Sequence, residues 1–175
     1  IRAGDGEQAV ASLKAGDGPV AWVDPTDTKK LDALIDEVGS HARELRTLAR
    51  GPDAAAVLAT QARLQVLCGH RQGPMGVSGW NSRIERQLDL RPGFPWYTGR
   101  PVMVTRNNPA LRLANGDVGV VMSDNDHRTA VFGTVNTSAQ PLRLPVARLE
   151  DIATVHALTI HKSQGSEYGH AVVVL

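Results

Sequence analysis

At 175 residues and 18.7 kDa, the chain is long enough to bury the core of one ordinary domain with room for a small insert. A net charge of +1 creates no bulk field that would draw in nucleic acid, so any such binding must come from a local groove. Hydrophobic content of 42% is ordinary for a globular chain, no apolar run approaches the roughly 20 residues of a bilayer span, and a single cysteine excludes an internal disulfide, so a soluble protein of the reducing cytoplasm, without membrane contact, is expected.

Residues 1–30 read as a loop-rich connector around a short helix, Glu7 to Lys14, and an apolar patch, Val20 to Val23. Trp22 is expected to pack rather than to stack on a base, since nothing basic is interleaved beside it. Between Leu31 and Ala49 apolar residues recur at three and four, the signature of an amphipathic helix, which Gly51-Pro52 stops. Asp53 then caps a second, Ala-rich helix. Leu64 to Cys68 is too short to assign by period and is taken as a buried strand, with Cys68 a small buried thiol.

His70-Arg71-Gln72-Gly73-Pro74-Met75-Gly76 is forced into a loop by its breakers, and a helix begins near Val77, burying Val77, Trp80, Ile84 and Leu88. A strand, a glycine loop and a helix in that order can place a loop and a helix N-terminus over a nucleotide. Asn81 is expected to order the loop and His70 to be structural. After an irregular Pro-rich stretch, short strands are expected from Val102, at Val118–Met122, at Thr129–Gly133 and at Leu142–Leu144. The turns between them are at Asn107 to Pro109, Asn115-Gly116, Ser123 to Asp126 and Asn136 to Ser138. Strands at this spacing suggest a small barrel. Asn136-Thr137-Ser138 also matches a glycosylation sequon, read here as turn chemistry because no signal peptide precedes it.

The densest polar cluster is the last. Thr159, His161, Lys162, Ser163 and Gln164 offer donors of several kinds suited to a phosphate backbone, Gly165 permits φ > 0, and Ser166 and Glu167 can accept from a sugar hydroxyl. Its apolar lead-in from Val155 fits a short helix capped by Gly165 or a β-branched strand; the helix is preferred. The bland alternative is a capped surface turn. The chain contains no Gly-x-x-x-x-Gly-Lys-Ser/Thr phosphate loop, no Asp-Glu pair behind an apolar strand, and no triad or zinc cluster, and no metal ligand is assigned. The start at Ile1 and the apolar close at Ala171 to Leu175 suggest a piece of a longer protein.

Thr-Ile-His-Lys-Ser-Gln-Gly-Ser-Glu-Tyr, residues 159–168, resembles motif V of the superfamily 1 helicases that move 5′ to 3′, and within them the RecD-like branch, which includes the alpha subunit of the RecBCD exodeoxyribonuclease V. Arg71, Gly73, Pro74, Gly76, Val77, Asn81, Ile84 and Glu85 match that branch's motif IV. Gly99 to Met103 and Asn115 to Gly119 are similar to the segment where a small Src-homology-type β-barrel is inserted. The resemblance implies an α/β fold: a partial RecA-like, P-loop NTPase-type motor domain, with its first part at 31–98, the inserted barrel at 99–149 and a return to the motor at 150–175.

In roles, it implies that Arg71 is the catalytic arginine, reaching the γ-phosphate. Gly165 and Glu167 would face the nucleotide with it, and Thr159, His161, Lys162, Ser163 and Gln164 would bind DNA. ATP and Mg2+ would serve the full-length protein only, and this piece alone would bind neither and be inactive. Implied partners are single-stranded DNA, RecB and RecC, and the first motor domain of the same chain, in double-strand break repair by homologous recombination. A stand-alone RecD-like helicase is the alternative within the class; a non-enzymatic β-barrel binding module is the alternative outside it.

Overall fold

A computed structural model of the chain describes residues 6–15, 20–90, 95–124, 127–133 and 140–175. The chain divides into two compact units, Ile1–Glu37 and Val38–Leu175. In the first, helix α1 (Gly6–Ala15) covers the expected short helix, and Asp27 accepts from the amide of Lys30 (3.1 Å) at the start of α2 (Thr28–Leu48). Trp22 is not packed away: it is 39% exposed, with the Lys14 ammonium 5.6 Å from the ring centroid.

The second unit opens with the buried stripe of α2, Val38, Gly39, Ala42 and Leu45, the three- and four-residue spacing visible in the sequence. Helix α3 (Ala54–Arg63) starts at Asp53, whose side chain accepts from the Ala56 amide at 3.0 Å. Strand β1 (Leu64–Cys68) follows at once, then α4 (Val77–Gln87) with Trp80 and Ile84 buried. Strands β2 (Pro101–Val104), β3 (Val118–Asp124), β4 (His127–Phe132), β5 (Leu142–Pro145) and β6 (Ile152–Thr154) form an antiparallel sheet in the order β5-β4-β3-β2-β6. Strands β7 (Ala157–Thr159) and β8 (His170–Val174) flank β1, both parallel to it. The architecture is thus mixed α/β, with one parallel and one antiparallel sheet.

Alternation sorts the antiparallel strands between two cores. Val102, Val104, Val121, Ala130, Phe132 and Leu144 face one way and are covered by Leu111, Leu113 and Leu149. Val120, Met122 and Val131 face the other way, onto Leu45 and Ala49 of the α2 end and Ala54 and Val57 of α3. No pairing among the described residues joins β5 to β6, so the described sheet is open; because β6 pairs with β2, it also extends beyond residue 149. Gly116 has φ +98° in a turn closed by the Asp117 amide on the Ala114 carbonyl (3.1 Å), but this turn lies within a longer β2–β3 connection rather than making a two-residue hairpin. The turn expected at Asn136 to Ser138 lies outside the described residues.

The two sheets meet through Leu67, Met103, Val155 and Leu158, with Tyr168 packed alongside. Here the structure corrects the preference for a helix before the polar cluster. Val155 to Leu158 are four consecutive buried residues, and β7 satisfies its backbone in register with β1 (Val66 with Ala157, Cys68 with Thr159). A helix would turn part of that run toward water. The helical turn is instead a short 3-10 segment, Ile160–Ser163, after the strand.

Candidate nucleotide and nucleic-acid interface

Parallel pairing decides the geometry of the site. Because Cys68 is in register with Thr159, the loop after β1 and the polar cluster after β7 leave the same carboxyl edge of the sheet. That edge is where open α/β sheets hold their ligands. The carboxyl end of β8 lies there too, with the Gly69 amide donating to the Val174 carbonyl at 2.8 Å.

The loop is a self-contained turn. Gly73 takes φ +93°, and the Gly76 amide donates to the Gly73 carbonyl (3.1 Å). The first amides of α4, Val77 and Ser78, donate back to the carbonyls of His70 (3.1 Å) and Arg71 (3.0 Å). They are therefore not free to cradle a phosphate, which corrects the reading that the helix N-terminus would lie over a nucleotide. Arg83 ties the loop from behind through the Pro74 carbonyl. Arg71 is exposed, and its side chain makes no hydrogen bond or ion pair with a described residue, so its guanidinium is open to a ligand.

In the polar cluster, His161, Lys162, Gln164 and Glu167 are exposed, and Thr159 and Ser163 are half-buried. Gly165 has φ +86°, and the Ser166 amide closes the turn on the Ser163 carbonyl at 2.9 Å. The Ser163 hydroxyl donates to the Ile160 carbonyl at 2.7 Å, so its one proton is committed until the side chain rotates. The cluster is open to solvent while Tyr168 anchors its far end in the apolar joint between the sheets. Among the described residues no group of three or more His, Cys, Asp or Glu could hold a metal ion.

Behind this edge lies a buried polar layer that the sequence reading missed. Gln65, on β1, is buried, and its amide faces the carbonyls of Val155 (3.3 Å) and His156 (3.0 Å). Asn81 orders not its own loop but the start of β7: its Oδ1 accepts from the Ala157 amide (2.9 Å), and its Nδ2 reaches the carbonyls of Thr154 (3.4 Å) and Ala157 (3.5 Å). The Tyr97 hydroxyl donates to Glu85 Oε1 (3.0 Å) and lies 2.8 Å from His156 Nε2. A hydroxyl has one proton, so Nε2 carries the hydrogen and donates to Tyr97. Burial first, then the like charges of His41 and Arg100, push the His156 pKa down to about 3, and burial with the Glu85 charge pushes the Tyr97 hydroxyl well above the phenol range. Both groups are neutral at neutral pH. Tyr97 and His156 are 59 positions apart, and no spacing rule links them.

Cys68 is buried, and burial raises its thiol to about 11, so it is inert rather than nucleophilic.

Comparison with known proteins gives these relationships. No family model matches the chain. It is 42% identical, over its whole length, to the RecBCD enzyme subunit RecD of Mycolicibacterium smegmatis, covering 31% of that protein. It is 38% identical, again over its whole length, to the RecBCD enzyme subunit RecD of Mycobacterium tuberculosis, covering 30% of it. The ATP-dependent RecD2 DNA helicase of Deinococcus radiodurans is 29% identical over 96% of the chain, which covers 22% of that helicase. The chain thus spans about a third of the length of the first two relatives. Among solved structures, Bacteroides Pif1 bound to ssDNA aligns over 77% of this chain and 42% of its own at 12% identity with a TM-score of 0.37.

Proposed function

The chain is homologous along its whole length to part of RecD, and from that premise we propose that it is a C-terminal motor-domain piece of an ATP-dependent 5′ to 3′ DNA helicase subunit of RecBCD. The observation that carries the reading is the shared sheet edge: the Arg71 loop and the 159–165 cluster emerge side by side from parallel strands. The higher identity to RecBCD subunits than to RecD2 favours the subunit over the stand-alone helicase. In this reading the second unit is a partial RecA-like domain, the antiparallel sheet is the inserted Src-homology-type barrel, and residues 1–30 are a connector.

Each side chain then has a role fixed by its chemistry. Arg71 neutralises charge on the terminal phosphate of a bound nucleotide, as a delocalised, always-charged guanidinium can. Gly165 lets the backbone come close to the nucleotide, with Glu167 beside it. His161, Lys162 and Gln164, with Thr159 and a rotated Ser163, hold a single strand by its phosphates and so bind without regard to sequence. When bound, ATP supplies the phosphoryl chemistry; the phosphate loop and the Mg2+ ligands come from the rest of the full-length protein, so this piece alone hydrolyses nothing. RecB and RecC are the assembly partners, and the context is exodeoxyribonuclease V in double-strand break repair.

The test uses the full-length protein. Arg71→Ala lowers DNA-stimulated ATP turnover by about 100-fold or more with little change in strand affinity. Lys162→Ala weakens single-strand binding and reduces the slope of log affinity against log salt by about 0.7. Unchanged turnover in the first variant together with an unchanged salt slope in the second would sink the proposal and leave a non-enzymatic binding module.

A further inference from the structure

The segment Thr154–Ala157 is the only stretch of chain between β6 of the antiparallel sheet and β7, whose end carries the polar cluster. Side chains from other elements take up most of its carbonyls and one of its amides. Asn81 takes the Thr154 carbonyl and both polar groups of Ala157, and Gln65 takes the carbonyls of Val155 and His156. The Val155 amide donates to the Pro101 carbonyl at 3.0 Å. The His156 ring, stacked at 8° to Tyr97, is held through the Tyr97 hydroxyl to Glu85. Asn81 and Glu85 are four apart on α4 and so share one helix face. The N-terminus of that helix is sealed to the Arg71 loop by its own first amides.

We propose that Asn81 and the Glu85–Tyr97–His156 chain form a strut that holds the Arg71 loop in fixed register with the 159–165 cluster, which makes these four residues positioning residues for coupling nucleotide turnover to strand movement. The proposal rests on the motor reading above and adds the path by which its two sites move together. Gln65, the α4 pair Asn81 and Glu85, and Tyr97 all converge on this four-residue segment, on its backbone or on the His156 ring. A hydrogen-bonded network of this kind, half-buried at Asn81 and Glu85 and buried at Tyr97 and His156, favours one geometry, so a displacement of α4 is passed on to β7. Stability alone would not require it, since an apolar core could fill the same space.

The experiment compares variants of the full-length protein for strand affinity, KM for ATP, turnover, and ATP consumed per base pair unwound. Tyr97→Phe keeps the ring and removes the link between His156 and Glu85. It is expected to leave strand affinity and KM within about twofold while raising the ATP consumed per base pair about three- to tenfold, the range of one net hydrogen bond. His156→Ala behaves in the same way, and His156→Gln restores coupling because its side-chain amide can donate where Nε2 did. If His156→Ala does not fold, Tyr97→Phe and His156→Gln carry the test. Turnover and unwinding that fall in the same proportion, or a ratio that never changes, would overturn the strut. The motor reading fails separately, through the response of Arg71→Ala.

Discussion

His156 ties stability to pH in a direction its burial determines. Its folded pKa of about 3 lies below the unfolded value of 6.5, so the unfolded chain binds a proton between those values and the folded chain does not. The contribution is fully present above pH 6.5 and is lost as pH falls toward 3, by about 1.4 kcal/mol per pH unit at most. Urea denaturation of the chain at a series of pH values should show a steeper loss for wild type than for His156→Gln below pH 6.5. At this scale the sequence was partly legible. Arg71, Lys162 and Gly165 announce themselves by residue type and by neighbouring breakers, and each lies at the carboxyl edge in the structure. Tyr97, His156 and Gln65 do not, because only the tertiary fold brings them together, and nothing local marks a histidine that will be buried neutral.

Among the elements, α4 shows how local preference and tertiary contact compete. Alanine is the better helix former by up to about 1 kcal/mol, so Gly79→Ala would stabilise an isolated α4. In the protein a Cβ at Gly79 would lie 2.6 Å from the Gly73 carbonyl oxygen and would press on that of Pro74, both backbone atoms of the Arg71 loop. The clash decides the sign: Gly79→Ala is expected to destabilise the chain by about 1–3 kcal/mol, read as a lower urea midpoint at unchanged m-value. The helices themselves were readable, since α2, α3 and α4 bury residues at the spacing the sequence displays. Strand β7 was not. Three β-branched or apolar residues before a glycine-ended polar cluster fit either period, and only pairing with β1, where Val66 stands in register with Ala157, settles the matter.

Across the whole molecule, the two sheets are joined by a small apolar cluster rather than by hydrogen bonds between strands. Met103 comes from the antiparallel sheet, Leu67 and Leu158 from the parallel one, and Val155 from the segment between them. Met103→Ala therefore removes packing shared by both and is expected to cost about 2–4 kcal/mol in equilibrium denaturation, a large share of a small domain's stability. Alternation and turn residues made β2 to β5 visible in the sequence; β6 was not expected, since three half-buried residues carry no sign of a strand or of its partner.

The central position of β1 also has a cost in time. Both its neighbours in the sheet are translated far later, with Gln65 awaiting Val155, 90 residues on. At ribosomal speeds of about 5–20 residues per second, that delay is on the order of ten seconds. During it Val66, Leu67 and Cys68 have finished synthesis but have no strand beside them, so a nascent chain stalled before residue 157 presents two bare edges on which foreign strands can nucleate.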